Sequence, residues 1–124
     1  MCGIGPFIPH KDTEFCKSPP GSVEMTLYLL SIIRIMHPGI LLPATTALAS
    51  LTPDGTQRGI VCGANVVMPN LSPTEERSKY SLYDNKASIG TEAAEGLEEL
   101  KTKCNQIGAQ VVTDRGDSKL RKED

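Results

Sequence analysis

A chain of 124 residues, 39% of them hydrophobic and 4% aromatic, makes one domain at most, with a modest core. Its net charge of −2 and the lack of a basic stripe argue against a nucleic-acid partner. The apolar run Met25–Met36 is broken by Ser31 and Arg34 and is too short to cross a bilayer, and no basic-then-apolar secretory leader opens the chain, so a cytoplasmic protein is expected.

In chain order, residues 2–8 alternate glycine with apolar residues and stop at Pro9, the pattern of a buried strand. Residues 9–21, rich in proline and charge, form a loop. Ser22 is a helix N-cap with Glu24 in the first turn, and Met25, Leu29, Ile32, Ile33 and Met36 follow at helical spacing, widened by Leu30. His37-Pro38-Gly39 stops that helix, because the residue before a proline avoids the α region. Ile40–Ala44 is a short apolar strand. Thr52 caps a short helix beginning at Pro53 and ending at Gly63; a hairpin turn at Asp54-Gly55 is rejected because Arg58–Cys62 offers no matching strand. Val66–Met68 is the next strand.

Past Asn70, Ser72-Pro73-Thr74-Glu75 makes a capping box that starts a helical turn running to Arg77, and residues 80–90 show no period. Thr91 caps a last helix with Leu97, Leu100, Cys104 and Ile107 on one face and Gly108 at its end; Ala109–Val112 reads as a short strand. The final eleven residues carry eight charges and are expected to be disordered, so the chain divides into 1–113 and a tail, 114–124.

Strand and helix alternate along the chain, which predicts an α/β fold with parallel strands. Three segments, Gly3–His10, Pro43–Leu48 and Cys62–Asn70, each set polar or backbone groups just past an apolar run, where an α/β barrel builds its active face. Three or four such units cannot close a barrel and would leave an open edge. The cysteines Cys2, Cys16, Cys62 and Cys104 lie tens of residues apart without CxxC spacing, and only His10 and His37 accompany them. They read as reduced thiols rather than as a metal site, with Cys62 and Cys104 on apolar faces.

Four ordered blocks carry a family resemblance: GIGPFIPHKDT from Gly3, LLPATTAL from Leu41, GANVVMPN from Gly63, and the run from Ser72 to Lys86 with its Tyr80 and Tyr83. Over residues 2 to about 113 the chain resembles the C-terminal third of the HydE family. These are the radical S-adenosylmethionine (SAM) maturases of FeFe hydrogenase, related to biotin synthase and methylornithine synthase. The resemblance implies a partial (β/α)8 TIM-type barrel, with the three main strands as its sixth to eighth, plus a C-terminal helix. In such enzymes a [4Fe-4S] cluster on a CxxxCxxC loop cleaves SAM reductively, and the resulting radical attacks a substrate in the barrel. For the HydE family the resemblance implies a substrate that is an organometallic iron complex with carbonyl, cyanide and cysteine ligands, whose product is processed towards the di-iron subcluster of the hydrogenase H-cluster.

Carried over by residue, Gly5, Pro6, Phe7 and Ile8 match the segment beside the SAM adenosyl group, where small residues admit a flat ligand; strand packing is the other reason for glycines there. Thr45 and Thr46 match pocket threonines able to donate to cyanide, carbonyl or carboxylate oxygens, although a threonine here can also cap the next turn. Met68 matches a thioether facing the substrate, against the alternative of a core methionine. Tyr80 and Tyr83 match tyrosines that fold over the pocket; without the resemblance they read as surface residues. His10 and Asp12 read as exposed loop residues. No catalytic residue and no metal ligand is assigned to this chain.

The chain departs from the family in three ways. It has no CxxxCxxC motif, so it is not expected to hold the [4Fe-4S] cluster. Ser88, Gly96 and Glu99 stand where some members carry accessory-cluster cysteines. Met1 falls at a position internal to the family, as an internal start or a truncated gene would give. The expected protein is a C-terminal fragment that contributes part of the SAM and substrate pocket and is inactive alone. Its expected partners are the missing N-terminal half-barrel or other hydrogenase maturases. Two alternatives stand beside it: a fragment of a methylornithine- or biotin-synthase-like enzyme with an amino-acid-derived substrate, and a non-enzymatic partial barrel that docks on a partner.

Overall fold

A computed structural model of the protein describes residues 1–69, 93–113 and 116–117. Among them are four helices and two short strands, in the order α1 (Val23–Met36), β1 (Pro43–Ala44), α2 (Thr46–Leu51), α3 (Gly55–Val61), β2 (Val66–Val67) and α4 (Ala93–Gln106). The strands pair in parallel, Pro43 opposite Val66 and Ala44 opposite Val67. The result is a small, open α/β arrangement in which two short helices, α2 and α3, connect two parallel strands; the α/β alternation is as the sequence predicts.

Residues 2–8 are not a strand, which corrects the sequence reading. The segment does run beside β1, on the side away from β2: the Cys2 amide donates to the Leu41 carbonyl at 2.9 Å, while the next carbonyl, of Leu42, accepts from Asn65 and Val66. Gly3 then faces Pro43 and Gly5 faces Thr45, so the two stretches keep step in the same direction. A ladder on this side needs the amides of residues 2, 4, 6 and 8, and Pro6 has none to give. The Leu42 amide is completed by the Asn65 side chain, whose Oδ1 accepts from it at 2.8 Å. Asn65 therefore staples β1 to the entry of β2, a role its sequence context does not reveal.

Helix α1 begins as its sequence dictates. Ser22 Oγ accepts from the Met25 amide at 3.1 Å, and Glu24 sits in the first turn, where a negative charge meets the positive end of the helix dipole. His37 closes it with its amide on the Ile33 carbonyl. The face turned inward differs from the expected stripe. Thr26, Leu27 and Leu30 are buried, whereas Met25 and Met36 are exposed. The helix carries apolar residues on nearly every side, so spacing alone cannot choose a face. The inner face packs Leu27 and Leu30 against Leu42 and Leu48, with Cys2, Ile4, Val23, Ile33, Ile40 and Cys62 around them. Thr26 is tolerated in this core because its hydroxyl donates to the Ser22 carbonyl.

Between the strands the chain makes two short helices where the sequence suggests one. Thr52 is the C-cap of α2 rather than the N-cap of the next helix; Asp54 takes that place, and the Thr52 hydroxyl donates to its carboxylate at 2.6 Å. Gly63 ends α3 as expected, at φ 113°, with its amide on the Ile60 carbonyl and that of Ala64 on Gly59. Gly108 ends α4 in the same way, at φ 74°, and Cys104 is buried on the predicted apolar face. Residues 109–112, read as a strand, are not one. The capping box at Ser72, the cap at Thr91 and all but Gly116 and Asp117 of the charged tail lie outside the described residues. No described helix is long and apolar enough to cross a membrane.

Candidate functional site

The C-terminal ends of the parallel strands bring the N-terminal segment and the first turn after β1 together. An added Cβ at Gly5 would stand 2.6 Å from Thr45 Oγ1 and 3.3 Å from Thr45 Cβ, so the absence of a side chain at residue 5 is what admits Thr45. That gives Gly5 a packing reason of its own. Pro6 is buried, Ile8 is half-buried, and Phe7 is 46% exposed with its ring edge-on to Phe15 at a centroid distance of 6.3 Å. The Phe7 carbonyl accepts from the Gly21 amide at 2.8 Å, which folds the 9–20 loop back over this end. His10 and Asp12 lie in that loop, the Asp12 amide donating to His10 Nδ1 at 3.1 Å; His10 is half-buried rather than exposed.

Thr45 occupies the N-cap position of α2 with extended backbone, and its carbonyl accepts from the Leu48 amide. Its hydroxyl does not cap the helix, and Oγ1 is buried with no hydrogen-bond partner among the described residues. A buried hydroxyl without a partner is costly. Thr46 is half-buried one residue further on, in the first turn of α2. Met68 follows β2 and is 55% exposed among the described residues. Tyr80 and Tyr83 lie outside the described residues. The structure thus brings Gly5 and Thr45 into contact, leaves Met68 open, and says nothing of the two tyrosines.

The residues do not gather around a metal. Among the described residues no three His, Cys, Asp or Glu side chains converge on one point. All four cysteines are free thiols: Cys104 buried, Cys2 and Cys62 half-buried, Cys16 exposed. Burial pushes the Cys104 thiol above its ordinary value of 9.0 and keeps it protonated. The donor set of the described residues does not fit a [4Fe-4S] cluster. Of the three positions matched to accessory-cluster cysteines, Ser88 is outside the described residues, Gly96 has open space around it, and Glu99 pairs with Lys103 at 2.7 Å.

A second concave feature lies in the helical layer. A groove of about 610 Å³ runs between α1 and α3, which point the same way, and Ile107 also lines it. The Glu24 carboxylate accepts from Arg58 there and pushes that guanidinium further up, while Gln57 reaches α4 through the Lys103 carbonyl and Gln106 Oε1. Further along the same two helices, Arg34 donates from Nε to the Gly63 carbonyl at 2.8 Å and from Nη1 to the Pro38 carbonyl at 2.6 Å. The cation sits where two helices end, the favoured place for it. Arg34, read from sequence only as a break in an apolar run, is in fact the clamp that joins α1 to the end of α3.

No family model matches the chain. Among curated proteins it is similar to the [FeFe] hydrogenase maturase subunit HydE of Thermotoga maritima, 43% identical over 89 residues that cover 72% of this chain and 26% of that protein. The chain therefore spans about a quarter of the length of the curated relative it matches. Identity of that order over most of the chain supports homology, at family level, to the radical-SAM, HydE-like proteins.

Proposed function

We propose that this chain supplies the C-terminal strand–helix units of a radical SAM maturase barrel of the HydE type, acting in assembly of the di-iron subcluster of the FeFe-hydrogenase H-cluster. The 43% identity to the Thermotoga maritima maturase subunit carries this reading. The open sheet is compatible with it: among the described residues no strand pairs with the far edge of β2, and the N-terminal segment leaves the other side of β1 only partly bonded. In a larger barrel both would be flanked by further strands.

In this reading the Gly5–Ile8 segment borders bound SAM, and Thr45 Oγ1, Thr46, Met68, Tyr80 and Tyr83 face the substrate, a small organometallic or amino-acid-derived molecule. When bound, the [4Fe-4S] cluster of the whole enzyme supplies the electron for SAM cleavage; the residues of this chain only shape and polarise the pocket. The protein is cytoplasmic, and its partner is the remainder of the barrel or another hydrogenase maturase.

The test is reconstitution of the purified chain with iron, sulfide, SAM and dithionite. The expected result is no iron–sulfur absorbance and no 5′-deoxyadenosine from the chain alone. Robust SAM cleavage would overturn the assignment of the radical-generating part to another segment.

A further inference from the structure

We draw no further inference here: the strongest candidate, the open groove of about 610 Å³ between α1 and α3, lined by Leu27, Val61, Ile107 and the Glu24–Arg58 pair, is an unpartnered apolar face, and nothing in the structure shows what covers it.

Discussion

Single atoms decide much of what this chain can tolerate. Gly63 combines φ 113° with a neighbour, Arg34 Cβ, only 2.7 Å from where its own Cβ would stand. Gly63→Ala strains the backbone and displaces the Arg34 clamp together, so urea denaturation should show a loss of about 2 kcal/mol or more. Thr45 makes the opposite prediction. Because its buried hydroxyl has no partner among the described residues, the near-isosteric Thr45→Val should leave stability unchanged or raise it by about 1 kcal/mol. A clear loss in the same denaturation experiment would mean that the hydroxyl already has a partner in the free protein.

Cys104 gives the pH dependence. Its thiol is held protonated in the folded chain by burial, whereas in the unfolded chain it ionises near 9.0. Above that pH the unfolded state binds fewer protons than the folded one, so stability is fully present below 9.0 and falls as pH rises through it. One thiol gives a slope of at most about 1.4 kcal/mol per pH unit. Denaturation series of the wild type and Cys104→Ala between neutral and alkaline pH should converge, because the variant lacks this slope. Parallel series would assign the alkaline loss elsewhere.

At the scale of elements, α2 and α3 are held at their angle by Gly55, where an added Cβ would lie well inside contact distance of the Leu48 carbonyl. Gly55→Ala should therefore cost about 2–3 kcal/mol, measured by thermal or urea melts, even though alanine favours helix more than glycine does. The ends of elements were the most legible part of the sequence. Ser22, His37, Gly63 and Gly108 act through hydrogen bonds to residues three to five positions away, so their chemistry is local and can be read from a short window. Residues 2–8 alternate as a strand does, but ladder formation also needs an amide that Pro6 lacks. Helix α2 is only six residues long, Thr46–Leu51, too short for a helical period to show in the sequence. The inner face of α1 was not legible at all: with apolar residues on nearly every side, the choice depends on Leu42 and Leu48, which arrive from elsewhere in the chain. At the site, the resemblance picked out both Gly5 and Thr45, but their mutual contact, and the roles of Asn65 and Arg34, exist only in three dimensions.

For the whole molecule, half of the ten large apolar side chains exposed among the described residues lie on two neighbouring helices. Met25, Tyr28, Ile35 and Met36 lie on the outside of α1, and Val61 lies on α3 beside it. Among the described residues no strand pairs with the far edge of β2, and these side chains stand uncovered beside it. The proposed reading sets this chain within a longer HydE-type barrel, and the chain spans about a quarter of the length of the maturase it matches. The central claim is that this chain is the C-terminal part of such a barrel. Reading the genomic DNA upstream of the Met1 codon, in frame, tests it most directly. The account predicts an uninterrupted frame encoding a CxxxCxxC loop and further strand–helix units. An in-frame stop codon followed by a ribosome-binding site would contradict it, and would make this short chain a protein in its own right.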